Sequence, residues 1–140
     1  KQFEARTTRK TYVALVSRHF AKDHGIISMP IGKQKTPEGF NRWVIGGTKP
    51  RDAITEWQVD EAFEDVETGA KWTRILLYPK TGRGHQLRLH MKASGHPILG
   101  DTIHADKEVA TCSPRLCLHA HELEVDWNGR RVKATSVTPF

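Results

Sequence analysis

The chain predicts an α+β fold built on a mostly antiparallel sheet, and three observations carry that expectation. Residues 11–17 are apolar on both faces of a strand, and residues 54–59 and 72–78 pair across the turn Glu67-Thr68-Gly69. Residues 116–125 and 131–137 flank Asn128-Gly129, a strong two-residue hairpin signal. One helix, over residues 85–94, interrupts the strands.

The elements follow in order. In residues 11–17, Tyr12, Ala14 and Val16 take one side and Val13 and Leu15 the other, so neither face suits water and the strand belongs inside a sheet. Residues 19–51 are punctuated by Gly25, Pro30, Gly32, Pro37, Gly39, Gly46, Gly47 and Pro50, which predicts loops and short strands lying over the surface. Residues 54–59 alternate apolar and polar side chains, and residues 72–78 repeat the strand character. After Pro79 the period changes: Leu87 and Met91 share a helical face, Gly95 suits the position just past a helix, and Pro97 follows where a helix cannot continue. His85, Leu87, Leu89 and Met91 also alternate as in a strand; the Gly-then-Pro stop favours the helix. There is no internal repeat, low-complexity tract or heptad pattern.

With 140 residues, 37% of them hydrophobic, the chain can bury one core and fits a single domain or the larger part of one. Lys+Arg number 22 against 16 Asp+Glu, a net charge of +6 with a pI near 9.6, which suits a polyanionic partner. No apolar run approaches the roughly 20 residues that span a bilayer, and no secretory signal is present, so a cytoplasmic protein without a membrane partner is expected. Cys112 and Cys117 read as reduced structural thiols. The chain opens on Lys1, and Phe3 resembles an apolar helix position whose preceding turn is absent, which suggests a missing N-terminal portion.

The densest chemistry lies in residues 79–101. The turn Thr81-Gly82-Arg83-Gly84 leaves a strand and opens a helix, so its N–H groups and Arg83 can face an anion such as a phosphate; equally, it can be a tight turn with a solvated arginine. Gln86, Arg88 and His90 present donors on the polar side of the first helical turns, and Arg88 can hold a carboxylate ionised and aimed. Tyr12 shares a strand face with Lys10; it is either a core tyrosine or a stacking plane for an unstacked base whose hydroxyl accepts a proton. Eight histidines invite a metal, and His119 and His121 share a strand face, but a third ligand is not evident and the H-E-x-x-H spacing is absent. Neither a nucleophile elbow, a phosphate-binding P-loop nor a G-x-G-x-x-G run occurs, so ATP and NAD are not implied, and no metal or cofactor is expected.

Four blocks, in order, resemble the RluA-type RNA pseudouridine synthases. Gln2-Phe3, Arg6 and Lys10 through Ala14 look like the family's Q-F…R…K-x-Y-x-A segment, and Ala53, Thr55 and Trp57 its A-x-T-x-aromatic strand. Pro79 through His90 matches P-x-T-G-R-x-H-Q-x-R-x-H and is followed by Gly95-His96-Pro97-Ile98-Leu99-Gly100-Asp101; Arg115 through Ala120 resembles R-L-x-L-H-A.

The resemblance implies a mixed, mostly antiparallel sheet with flanking helices and loops and an RNA cleft across its middle. It also implies isomerisation of uridine to pseudouridine in structured RNA, a ribosomal or transfer RNA stem-loop, without cofactor. Carried over by position, Tyr12 stacks on the uracil and helps remove the C5 proton, Arg88 pairs with the nucleophilic aspartate, and Leu116 and Leu118 form the pocket floor. Lys10, Lys33, Lys35, Arg83, His85 and Gln86 are expected to contact the RNA. The family's H-R-L-D segment, which carries the nucleophile, has no counterpart in the sequence, so the resemblance implies that residues 1–140 are the C-terminal portion of a single pseudouridine synthase catalytic domain and that the chain alone is inactive. Gly84 stands where the family usually has Ser or Thr, and His104 where Tyr is common; both are expected to lie away from the chemistry, and Asp101 to be structural. Two rivals remain: a non-catalytic RNA-binding module on the same scaffold, and a His-rich metallohydrolase.

Overall fold

A computed structural model describes residues 8–127 and 129–140; the readings at Gln2, Phe3, Arg6 and Asn128 fall outside the described residues. Two antiparallel sheets form. The larger contains β1 (Thr8–Ser17), β2 (His24–Ser28), β6 (Ile54–Glu64), β7 (Lys71–Pro79), β8 (Leu118–Trp127) and β9 (Arg130–Thr135), in the order β2-β6-β7-β1-β8-β9. The smaller contains β3 (Ile31–Lys35), β4 (Asn41–Ile45) and β5 (Thr48–Arg51), in the order β4-β3-β5. Helix α1 (Gln86–Ala93) follows β7, and a single turn, α2 (Lys107–Ala110), precedes β8.

The apolar character of β1 on both faces now has a cause: it lies between β7 and β8, with Tyr12 opposite Leu77 and Ala14 opposite Ile75. Ala14, Val16, Ile75 and Leu77 are fully buried and meet Leu87 and Met91 of α1, so the helix covers this face of the sheet. A register shift between β1 and β8 falls between Thr11 and Tyr12. The extra residue is His121 of β8, so β8 is the strand that bends there, directly beside Tyr12.

The β6–β7 pair forms as expected but runs further, to Glu64, past an irregularity between Val59 and Glu61. Phe63 stacks on Trp72 at 5.6 Å, and Arg74 lies over Phe63 while pairing with Asp60 and Glu61. That cross-strand packing holds the extension together. The turn that closes the pair is fixed by Asp65, whose carboxylate accepts from the N–H groups of Glu67 and Thr68.

Helix wins over strand after Pro79. Gly95 takes φ +90°, its N–H donates to the Lys92 carbonyl at 3.1 Å, and that of His96 donates to Met91 at 2.9 Å, which terminates α1 in a Schellman arrangement. The expectation that residues 19–51 only drape the surface needs correction: Ile31 is 1% exposed and joins Ala53, Leu89 and Trp43 in a second apolar cluster. Short strands broken by Gly and Pro conceal this, because Ile31 is the single apolar side chain of the five-residue β3, too little for a periodic signal.

Candidate active site

The segment from Thr81 to His90 is held by one connected chain of hydrogen bonds. The Ile54 N–H donates to the Thr81 hydroxyl at 3.0 Å, which donates to Gln86 Oε1 at 2.7 Å. That oxygen also accepts from the Arg83 N–H at 3.1 Å, while Gln86 Nε2 donates to the Ile54 carbonyl and the Thr55 hydroxyl at 2.9 and 3.0 Å. His90 closes the chain. Its Nε2 faces the Met29 carbonyl at 2.9 Å, which can only accept, so Nδ1 is the bare nitrogen that accepts from Thr55 at 2.8 Å. Gln86, Thr55 and His90 are buried. Burial pushes the His90 pKa below its ordinary value, against a smaller opposing pull from the Met29 carbonyl.

This network fixes how Arg88 leaves the helix. Arg88 Nη2 donates to Asp101 Oδ1 at 2.6 Å, and the same oxygen accepts from the N–H groups of Ile103 and His104 at 3.1 and 3.0 Å. Asp101 is fully buried. Its burial works to raise the carboxyl pKa, but the Arg88 guanidinium and the two N–H donors outweigh it and hold the group below the usual range. Arg88 Nε and Asp101 Oδ2 are buried without a hydrogen-bond partner.

A pocket of about 190 Å³ opens beside Arg88 and gathers seven of the ten residues singled out in the sequence: Lys10, Tyr12, Arg83, His85, Gln86, Arg88 and Leu118. Tyr12 and Leu118 reach it from the adjacent strands β1 and β8. Leu116 does not line it; this residue precedes β8 and packs against the main core. Lys33 and Lys35 belong to a separate cleft of about 620 Å³, which Arg83 also lines. Gln86 departs from its expected RNA contact, because its amide is 4% exposed and all four of its bonds are made inside the fold. The Arg83 N–H is likewise taken by Gln86, and Arg83 Nε donates to the Asp52 carbonyl at 2.7 Å.

His104, expected to lie away from the chemistry, is bonded to the pocket residue His85, Nδ1 to Nε2, at 2.8 Å. Burial and the Arg88 charge lower the His85 pKa against a smaller pull from Asp101. Burial likewise lowers that of His104. Both rings are therefore neutral near pH 7, and one supplies the shared proton. His119 and His121 sit with ring centroids 6.3 Å apart, and among the described residues no group of three or more His, Cys, Asp or Glu side chains is placed to hold a metal.

An antiparallel sheet, a helix whose Arg88 pairs with the buried Asp101, and Tyr12 beside a bulge of β8 together define a small, cation-rimmed pocket. Residues 1–93 match the profile of the RNA pseudouridylate synthase family, and the chain belongs to that family. It is 39% identical over 127 residues to the dual-specificity RNA pseudouridine synthase RluA of Haemophilus influenzae, covering 89% of this chain and 54% of that protein. It is 36% identical over 145 aligned positions to the RNA pseudouridylate synthase domain-containing protein 1 of Mus musculus, covering 100% of this chain and 47% of that protein. The solved structure of human RNA pseudouridylate synthase domain containing 1 superposes with a TM-score of 0.80 at 29% identity, over 96% of this chain and 56% of that one. The chain thus spans about half the length of the curated relatives it matches.

Proposed function

We propose that the protein to which this chain belongs isomerises uridine to pseudouridine in structured ribosomal or transfer RNA, and that this chain supplies the pocket. The observation that carries the reading is Arg88 Nε: a buried guanidinium donor with no partner, in the same pocket as Tyr12. An unmet buried donor is costly, and a second carboxylate beside Arg88 relieves that cost. The nucleophilic aspartate of the family's H-R-L-D segment is that carboxylate, contributed from outside residues 1–140, so the chain alone is inactive.

In the reaction the aspartate attacks C1′ of the target uridine and displaces N1, the base turns, and C5 then attacks C1′, which breaks the aspartate–C1′ bond and returns the carboxylate. C5 loses its proton and N1 gains one, so no cofactor or redox partner is needed. Arg88 keeps the attacking carboxylate ionised and oriented. Tyr12 stacks on the flipped uracil and its hydroxyl takes part in removing the C5 proton, while Leu118 provides the apolar floor. Lys10, Arg83, Lys33 and Lys35 contact phosphates, which offsets the few kcal/mol needed to extrude the base. His85 faces the base edge, and Gln86 acts from beneath by holding the turn. The free thiols Cys112 and Cys117 suit a reducing, cytoplasmic setting.

Tritium release from RNA labelled at uridine C5 tests the reading, using the full-length protein and the 140-residue chain side by side on unmodified ribosomal and transfer RNA. Release by the full-length protein alone is the expected result. Release by the chain alone would refute the externally supplied nucleophile. Silence from both, with RNA still bound, would favour the non-catalytic binding module.

A further inference from the structure

The wider cleft, of about 620 Å³, lies between the three-stranded sheet and the turn Gly82-Arg83-Gly84. Five cations line it: Lys33, Lys35, Lys49, Arg51 and Arg83, and no carboxylate does. Among the described residues Lys33, Lys35, Lys49 and Arg51 form no ion pair, so their charge is uncompensated. An accumulation of one sign in a concave site focuses its field on an anionic ligand.

The arrangement follows from strand geometry. Side chains two apart on a strand point the same way, so Ile31, Lys33 and Lys35 share one face of β3. Ile31 enters the second core, and the two lysines continue outward about 6.7 Å apart along the strand, near the separation of successive phosphates on one RNA strand. Lys49 holds the left-handed conformation, φ +48°, directly before Pro50, a backbone state that lysine rarely adopts and that a following proline disfavours. Strain of this kind collects where a side chain must be aimed.

The cleft has a built wall. Trp43, opposite Lys33 on β4, lies under the Lys33 ammonium at 4.8 Å, and its indole also occupies the space where a Cβ on Gly84 would sit. Only glycine at position 84 allows the indole so close. The departure from Ser or Thr there therefore has a packing reason: Trp43 keys the small sheet onto the turn that carries Arg83.

We propose that this cleft is a second RNA subsite, which grips the phosphodiester backbone of nucleotides flanking the target uridine, with Lys49 and Arg51 as contacts and Trp43 against Gly84 as its positioning device. Arg83 lines both openings and joins the subsite to the uridine pocket. The proposal rests on RNA being the ligand, as argued above, but not on catalysis.

The test measures binding of an unmodified transfer RNA transcript by the full-length protein across a salt series. The variant K33Q/K35Q/K49Q should lose affinity on the order of tenfold or more, and its slope of log K against log salt should flatten by about 2, because each phosphate contact contributes roughly 0.7–0.9. A control, K22Q/K71Q/K107Q, removes equal charge from exposed sites outside the cleft and should leave the slope nearly unchanged. Gly84→Thr, neutral in charge but overlapping Trp43, should flatten the slope as well while thermal melting confirms a folded protein. An unchanged slope in K33Q/K35Q/K49Q, or an equal loss in the control, would overturn the subsite. Tritium release separates the two readings: a flattened slope in a protein that never releases tritium sinks the isomerase and leaves the subsite standing.

Discussion

Arg88 is held at one end and open at the other: Nη2 is fixed on Asp101 while Nε is buried and unmet. The pair orients the guanidinium, and the free donor is where the proposed nucleophilic carboxylate would bond. Replacing Arg88 with Lys keeps the charge but loses the planar fork, so tritium release by the full-length protein should fall on the order of a hundredfold or more. Asp101→Asn leaves Arg88 without its counter-charge in a site only 17% exposed on the arginine side chain, which should cost on the order of 2–3 kcal/mol of stability. A lower urea midpoint at unchanged m-value would register it. An Asp101→Asn protein as stable as the natural one and fully active would show that Asp101 does not orient Arg88.

At the scale of elements, helix α1 is docked by apolar and polar means together. Leu87 and Met91 enter the main core, Leu89 enters the second beside Ile31 of the small sheet, and His90 bonds β6 through Thr55 and the β2–β3 connection through Met29. One helix thus ties both sheets. Burial holds the folded pKa values of His90, His85 and His104 below the ordinary histidine value, so each takes up its proton less readily in the fold than in the unfolded chain. The stability they contribute is complete above about pH 6.5 and is lost as pH falls from there toward the lower folded values, with a slope of at most about 1.4 kcal/mol per pH unit from His90. Asp101, shifted down, contributes stability that is lost only further down, below about pH 4. Urea midpoints measured between about pH 7.5 and pH 5.5 should fall, and a His90→Phe variant should start lower with a shallower dependence. Parallel curves for the two proteins would refute the role given to His90.

Across the whole molecule, protection should follow position in the sheet order. β1 and β7 are flanked on both sides and carry the fully buried residues Ala14, Val16, Ile75 and Leu77, whereas β9 is an edge strand whose residues are all exposed. Native-state hydrogen exchange should therefore be slowest in β1 and β7 and fastest among the strands in β9; the reverse order would contradict this core. Much of that frame is legible in the sequence. Two-sided apolarity placed 11–17 inside a sheet, alternation paired 54–59 with 72–78, Asn128-Gly129 marked the last hairpin, and Gly95 and Pro97 stopped the helix, because these signals are local and report backbone conformation directly. The spacing of Thr81, Arg83, Gln86, Arg88 and His90 likewise singled out a segment that contributes most of one pocket's lining. What only the tertiary structure decided is who meets whom across long stretches of chain. Gln86 turned inward to Thr55, Arg88 met Asp101, His104 came to His85, and Trp43 settled on Gly84, pairs separated by 13 to 41 residues. A side chain's own sequence states what bonds it can make, but its partner is chosen by the sheet register and helix docking that bring distant segments into contact.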